Sequence, residues 1–353
     1  MDGTALKGYY GTDRVCPTNL VGSCVNDFKF IAIYEASGLK SYEDGIIGLW
    51  SGNTNSLTYD STQMFVPEMV TDSTITDKVF SWYMSGLAGK TYIDFGTPNS
   101  AIYNAAELIW IPIESNDYWW TSKITGIRWT KNSNDSVEYK YPEAKALTDT
   151  GSSCIIGPEK EVNYFKYTIL NTIPGVETHD SWGYQFDCSA STATALPSFE
   201  LLYGGYWFEI LPEDYIIEFN KSTNKCAVCF SAYSTVDYWI LGDVFMRNLY
   251  SIHDYTTKKM GFVPYTGSSK KAVTLATSTP TTSPPDVTVN VETLIFGLTV
   301  SEFLIVAVGV AVVVGIVVLI YFLCFLANKQ LKASSSEKKK TSEETDQVIV
   351  LLP

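Results

Sequence analysis

Residues 146–158 read ALTDTGSSCIIGP and carry the clearest chemical signal in the chain. An aspartate followed by Thr-Gly and two hydroxyl residues is typical of a carboxylate held on a tight loop, because glycine permits the sharp backbone. Such a carboxylate serves in general acid–base chemistry when a second carboxylate faces it across a water molecule. The chain holds no second Asp-Thr-Gly or Asp-Ser-Gly. The candidate residues are the catalytic Asp149 and its supporting neighbours Thr150, Gly151, Ser152 and Ser153.

Composition excludes several other kinds of site. A net charge of −13 argues against a nucleic-acid partner, because no basic surface is available to replace the counterions of a phosphate backbone. The two histidines, His179 and His253, lie far apart, and the cysteines lack the paired spacing of zinc ligands. Cys226-x-x-Cys229 has no second pair beside it. We therefore expect neither a metal nor a cofactor.

A membrane span is predicted at Phe303–Ala327. This uncharged run of 25 residues exceeds the roughly 20 needed to cross a bilayer, whereas a buried core helix of this length would carry a polar face. Lysines follow the run, at Lys329, Lys332 and 338–340, and Glu302 precedes it. The positive-inside rule then predicts a single-pass type I protein with its N-terminal part luminal or extracellular. The cell surface and endolysosomal, vacuolar or secretory compartments all fit.

Six of the seven cysteines precede this span, on the side where disulfides persist. Cys16 and Cys24 are close enough in sequence to close a small loop, and Cys188 is expected to pair with either Cys226 or Cys229. Cys154 is interpreted as a small buried thiol rather than a nucleophile, because no histidine lies near it in sequence.

Two further features bear on the secretory route. Asn134-Asp-Ser and Asn220-Lys-Ser are N-glycosylation sequons on the predicted luminal side. Residues 1–15 contain no apolar run typical of a cleavable signal peptide, although a luminal domain of this size normally follows one. The interpretation is that the sequence begins inside a longer protein.

Most segments before residue 265 have the alternating, β-branched pattern of strands. The clearest strand patterns are residues 28–34, 79–85, 108–113 and 206–212, and the best helical pattern is Glu159–Ile169, directly after Gly157-Pro158. Residues 266–290 are rich in Ser, Thr and Pro, which favours an extended linker over a packed core. The predicted fold class is all-β with minor helices.

The order of motifs resembles the pepsin-like aspartic protease family over residues 1 to about 265. The motifs are, in order, DGIIGLW (44–50), VFSWYMS (79–85), IDFGTP (93–98), IWIPI (109–113), YWWTSKITGI (118–127), the Asp-Thr-Gly-Ser-Ser loop, LPSFEL (196–201), WILGDVFMR (239–247) and GFVP (261–264). The resemblance implies a bilobal fold, peptide or protein substrates and a monomer. With it the predicted domains are a partial N-terminal lobe (1–115), a C-terminal lobe (116–265), a stalk (266–302), the transmembrane helix (303–327) and a cytosolic tail (328–353).

Asp149 resembles the second of the family's two catalytic aspartates, since Gly157-Pro158 follows it and the DGIIG motif lies upstream. In this family the Asp-Thr-Gly loop packs against two apolar residues and a glycine from a later strand. Residues 240–242 match that strand for Asp149, and residues 46–48 match the equivalent strand of the first lobe, whose own aspartate would lie upstream of the flap. Residues 3–8 resemble the flap hairpin, with Gly3 and Thr4 as flap residues. The flap tyrosine would fall at Met1 or Asp2 and is absent.

The resemblance implies a few further roles. Gly151 would orient the carboxylate through its backbone, Ser152 and Ser153 would support the loop, and four residues would line substrate pockets: Ile46, Tyr118, Leu147 and Ile240. Ordinary strand packing is the alternative for those four.

Three functions are compatible with the sequence. The first is a membrane-anchored endopeptidase represented by an N-terminally truncated sequence. The second is an inactive pseudoprotease that binds peptides or proteins. The third is a homodimer with one aspartate per subunit, which the retained part of the first lobe would obstruct.

Overall fold

The apolar runs of the chain form strands, and few helices accompany them. A computed structural model describes residues 5–17, 22–37, 44–52, 63–85, 91–115, 117–132, 135–193, 196–289, 294–295 and 298–299. Residues Met1–Asn290 belong to one compact unit and Val291–Pro353 to another. In the second unit the structure describes only two short paired strands, Leu294–Ile295 and Leu298–Thr299.

The strands of the first unit are numbered in chain order. They are β1 (Ala5–Val15), β2 (Val25–Ser37), β3 (Val79–Tyr83), β4 (Tyr92–Phe95), β5 (Ile109–Pro112), β6 (Thr121–Asn132), β7 (Asp135–Thr148), β8 (Ile155–Pro158), β9 (Glu177–His179), β10 (Gly183–Asp187), β11 (Ser198–Tyr203), β12 (Tyr206–Ile210), β13 (Ile216–Asn220), β14 (Lys225–Val228), β15 (Phe230–Tyr233), β16 (Trp239–Leu241), β17 (Leu249–Asp254), β18 (Lys259–Pro264) and β19 (Thr274–Leu275). The helices are α1 (Phe65–Thr71), α2 (Glu159–Leu170), α3 (Cys188–Ala193), α4 (Pro212–Tyr215) and α5 (Asp243–Met246), with 3-10 turns at Ser100–Ile102 and Ala105–Glu107.

An eight-stranded sheet forms the centre of the unit, in the order β15-β8-β16-β7-β6-β11-β12-β19. A five-stranded sheet, β4-β3-β17-β18-β5, joins strands from before residue 115 to strands from after residue 248. The residues on either side of the predicted lobe boundary therefore share one sheet. Smaller sheets comprise β13-β14-β10-β9 and the hairpin β1-β2.

Aromatic side chains dominate the core beneath the large sheet. Tyr203, Phe208, Phe245 and Phe262 contact one another in edge-on or tilted pairs with ring centroids 5.0–6.2 Å apart. Such geometries are favourable for aromatic quadrupoles. These four side chains are almost completely buried, so they tie β11, β12, α5 and β18 into one core.

The predicted secondary structure is confirmed over most of this unit. The four strand patterns fall in β2, β3, β5 and β12, and the predicted helix is α2, which ends one residue later, at Leu170. Residues 46–48, which resemble a family strand, are not part of a strand among the described residues. The side chain of Ile46 is 77% exposed, because the described part of the chain places no neighbouring strands around it.

Some predictions lie outside the described residues. These are the flap residues Gly3 and Thr4, the sequon at Asn134, the span 303–327 and the tail. Within the described part of the chain, no helix has both the length and the apolarity required to cross a bilayer.

The six cysteines in the described ranges form three disulfides. Cys16 pairs with Cys24 as predicted, and Cys188 pairs with Cys226. The interpretation of Cys154 as a free thiol is wrong, since it is bonded to Cys229. Strands β8 and β15 run parallel side by side and bring these two cysteines together across a sequence separation of 75, which spacing alone does not indicate.

The Ser/Thr/Pro-rich segment 266–289 packs against the rest of the first unit. Strand β19 pairs with the edge strand β12, and Val287 and Val289 pack against the hydrophobic core. Pro280 is buried over Gly126, where a Cβ atom would approach the proline ring to 3.1 Å. We call residues 266–289 the C-terminal strap.

His253 is a buried, neutral histidine on β17. Its ring stacks on Phe80, with centroids 4.4 Å apart, and meets Trp120 edge-on. Its Nδ1 has no hydrogen-bond partner among the residues that the structure describes. Burial in this aromatic setting lowers the pKa of His253 to about 3, because the charged form would lose its hydration.

The His253 environment predicts loss of stability in acid. The unfolded chain takes up a proton near pH 6.5, whereas the folded chain does so only near pH 3, so the contribution is complete above pH 6.5 and declines as the pH falls. Between pH 6.5 and 4.5 the free energy of unfolding should fall by about 2–3 kcal/mol from this group.

Urea denaturation at pH 6.5 and pH 4.5 measures this loss. In His253→Phe the part of the loss that comes from the histidine should be absent. Ser251→Ala is the matched control, because Ser251 is an equally buried polar residue on the same strand and carries no charge. An equal acid-induced loss in His253→Phe and wild type would contradict the prediction.

Candidate active site

The Asp149 loop, residues 149–154, connects β7 to β8 around an intervening strand. Strand β16 lies between those two strands, parallel to β7 and antiparallel to β8. In this register Leu147 is opposite Ile240, and the Asp149 backbone N–H donates to the Leu241 carbonyl at 3.1 Å. The packing of this loop against residues 240–242 is therefore as the sequence predicts.

Gly242 lies directly beneath the loop. A Cβ atom at this position would be 2.1 Å from the Ser152 carbonyl oxygen and 2.6 Å from that of Cys154, so only glycine fits. The following amides bind the same loop: Asp243 N–H donates to Ser152 O at 2.8 Å and Val244 N–H donates to Ser153 O at 3.1 Å. The beginning of α5 thus fixes the backbone of the Asp149 loop.

The Asp149 carboxylate is half-buried and is oriented by two donors of its own loop. Gly151 N–H donates to Oδ1 at 2.9 Å, and the Ser152 hydroxyl donates to Oδ2 at 2.7 Å. The two hydrogen bonds fix the plane of the carboxylate. The arrangement can accept a proton from a water molecule placed against the carboxylate.

The residue before Asp149 anchors the loop from below. Thr148 is buried, and both its backbone N–H and its hydroxyl donate to the carbonyl oxygen of Trp120, at 3.1 and 3.2 Å. Thr148 is not among the residues predicted above, although a hydroxyl residue directly before the aspartate is a usable signal. Thr150, by contrast, is exposed.

The carboxyl group of Asp243 interacts electrostatically with that of Asp149. Asp243 follows Gly242, and burial raises its pKa to about 6, with the negative charge of Asp149 adding to the rise and Arg247 opposing it. Sequence reasoning missed this residue, although its position directly after residues 240–242 places it next to the loop.

The four predicted pocket residues fall at three places. Leu147 and Ile240 are paired, half-buried, at the base of the Asp149 loop. Tyr118 is partly exposed and stacks on Trp50, with ring centroids 5.6 Å apart. Ile46 lies in the exposed segment 44–48, and its role as a pocket residue stays a prediction.

No group of three or more His, Cys, Asp or Glu residues in the described ranges could hold a metal ion.

The raised pKa of Asp243 predicts that its ionisation destabilises the fold. The folded chain keeps the proton up to about pH 6, whereas the unfolded chain releases it near pH 3.8, so stability from this group is present at low pH and is lost as the pH rises through 6. Asp243→Asn should raise the free energy of unfolding by about 1–2 kcal/mol at pH 7 and by much less at pH 4.

Thermal and urea unfolding at the two pH values measure this difference. Asp237→Asn, at an exposed loop position, reports the effect of removing one negative charge alone. A gain at pH 7 that persists unchanged at pH 4 would show that the gain does not come from the ionisation of Asp243, and it would contradict the prediction.

Comparison with known proteins agrees with this geometry. The family model for eukaryotic aspartyl protease matches residues 1–265. Gastricsin of Homo sapiens is 28% identical over 73% of this chain and 64% of its own length, and cathepsin E of Rattus norvegicus is 27% identical over 74% and 63%. Plasmepsin VII of Plasmodium falciparum is 29% identical over 66% of this chain and 55% of its own length. The chain thus spans about two-thirds or less of the relatives that it matches. The chain belongs to the eukaryotic aspartyl protease family.

Proposed function

We propose that this chain contributes Asp149 as one of two catalytic carboxylates of an aspartic endopeptidase. The observation that carries the proposal is the Asp149 carboxylate, oriented by Gly151 N–H and Ser152 Oγ on a loop that β16 and α5 hold from below. In this chemistry one ionised aspartate takes a proton from water as the water attacks the peptide carbonyl. The other aspartate, protonated, donates to the developing oxyanion.

The second carboxylate belongs, in this proposal, to a segment outside this sequence. Two observations support this. The relatives extend well beyond the region matched, and the chain contains one Asp-Thr-Gly. In addition, Ile46 and Ile47 are 77% and 53% exposed, although in the second half of the chain the corresponding residues Ile240 and Leu241 are held between two strands. Residues 46–48 would acquire such neighbours from the segment that carries the first aspartate.

The test is peptide hydrolysis by the product of the full-length transcript. We expect cleavage at acidic pH that pepstatin blocks, with kcat reduced by at least about 10³-fold in Asp149→Asn. Asp180→Asn, at an exposed position between β9 and β10, is the control. Unreduced cleavage by Asp149→Asn would refute the role of Asp149.

A binding function is the second candidate, and the single Asp-Thr-Gly in the chain favours it. A lone carboxylate cannot act both as the base and as the acid, so such a chain would hold peptides without cutting them. Binding of a pepstatin-like peptide without hydrolysis by the full-length protein would favour this function over the first.

We also propose that the domain acts as a monomer in a luminal or extracellular compartment, anchored by residues 303–327. Three disulfides support an oxidising compartment. The sequon Asn220-Lys-Ser lies at the turn between β13 and β14, where Lys221 and Ser222 are exposed. The Ser222 hydroxyl donates to Asn220 Oδ1 at 2.7 Å, so the asparagine and hydroxyl of the sequon lie together at the surface.

N-glycosylation of Asn220 therefore tests the compartment. Protein from a eukaryotic secretory host should lose mass on treatment with a peptide-N-glycosidase, and Asn220→Gln should remove that change when Asn134→Gln is also present. Asn224→Gln, in the same turn but outside a sequon, is the matched control. Lack of any mass change in the Asn134→Gln single variant would contradict luminal exposure of Asn220.

A further inference from the structure

The buried cation of the C-terminal strap offers an inference beyond the catalytic loop itself. Lys270 lies after the last residue matched to the family, and its side chain is 1% exposed. An ammonium is rarely buried unless it is paired, because its hydration is lost. The groups that contact the Lys270 ammonium therefore indicate which elements it holds in place.

The Lys270 ammonium joins two elements below the Asp149 loop. It pairs with the carboxylate of Asp214 at 3.2 Å, and that carboxylate is fully buried in α4. It also donates to the carbonyl oxygen of Phe245 in α5 at 3.2 Å. One cation thus connects α4 to α5.

Other hydrogen bonds complete this buried cluster. Asp214 accepts from Leu211 N–H and from Asn248 Nδ2, each at 2.9 Å, so both its carboxylate oxygens are used. The strap binds the same region again, because Ser268 Oγ donates to the Asn248 carbonyl at 2.8 Å. Removing one partner of a buried pair leaves the other charge uncompensated, so the loss of either Lys270 or Asp214 is expected to be costly.

Helix α5 has four residues, and its two ends have different partners. At its end, Phe245 O accepts from Lys270. At its beginning, Asp243 N–H and Val244 N–H donate to the carbonyls of Ser152 and Ser153. Because α5 is a single turn, a shift of Phe245 displaces these two amides as well.

The strap is fixed along its length, so Lys270 is held from both directions. Downstream, Ala276 N–H donates to Gly205 O at 3.0 Å, and Asn171 Nδ2 donates to Thr288 O at 2.8 Å. Upstream, Tyr265 OH donates to Asn248 Oδ1 at 2.9 Å.

We propose that Lys270 is a positioning residue for the Asp149 loop: its ammonium fixes the end of α5, and the beginning of α5 fixes the loop carbonyls of Ser152 and Ser153. The role in catalysis rests on the proposed function, whereas the positioning of the loop can be measured without activity.

The test compares amide hydrogen exchange in the full chain. Lys270→Met alone leaves the Asp214 carboxylate buried without its cation and so threatens folding. The double variant Lys270→Met with Asp214→Asn removes both charges and serves as the foldable form. We expect the amides of Asp243 and Val244 to exchange at least about tenfold faster in the double variant, while core amides of β17 such as Ile252 keep their wild-type rates.

Lys271→Met is the matched control, since Lys271 is the neighbouring residue and its exposed side chain pairs with Glu209, outside the Lys270–Asp214 cluster. It should leave the exchange of Asp243 and Val244 unchanged. A uniform rise at all three reporter amides, or no rise at Asp243 and Val244, overturns the proposal.

Kinetics separate this proposal from the proposed function. In an active full-length protein, the double variant should lower kcat by at least about tenfold with KM little changed, because binding surfaces remote from the loop are retained. If no hydrolysis is found in wild type, the endopeptidase proposal fails, while the exchange measurement still decides the role of Lys270.

Discussion

The contact between Gly242 and the carbonyl of Ser152 is the constraint on which the rest of the site depends. Strand β16 can pass between β7 and β8 beneath the Asp149 loop only because no side chain separates Gly242 from that loop. The close approach lets the amides that follow Gly242 bind the loop carbonyls. The orientation of the Asp149 carboxylate is thus a property of backbone packing, supported by two local hydrogen bonds.

Two titratable groups, the buried His253 and the half-buried Asp243, give the domain opposite responses to pH. His253 contributes stability that rises with pH, because its neutral form is the buried one, whereas Asp243 contributes stability that falls as it ionises. Between about pH 4 and 6 the two slopes oppose each other, so their sum is nearly flat in that interval. Mildly acidic conditions are therefore compatible with both groups, and neither group alone indicates the optimum of the domain.

Local patterns in the sequence predict many of the strands and helices of this fold. The features that they do not predict depend on contacts between residues far apart in the sequence. Strand alternation and the start of α2 are local signals, and the order of the motifs identifies the family and the packing of residues 240–242 under Asp149. The disulfide between Cys154 and Cys229 depends on the parallel alignment of β8 and β15, which no spacing rule gives. The pairing of Lys270 with Asp214 likewise requires knowledge that the strap folds back, and its Ser/Thr/Pro-rich composition predicts only an extended chain.

The disulfide between Cys154 and Cys229 makes the support of the Asp149 loop depend on the redox state of the compartment in which the chain folds. Cys154 is the last residue of the Asp149 loop, so the loop is covalently tied to the residue that precedes β15. Chains that fold in a reducing cytosol would lack this tie, and chains that fold in an oxidising lumen would gain it. An oxidising compartment therefore adds a covalent support to the Asp149 loop that a reducing compartment would not provide.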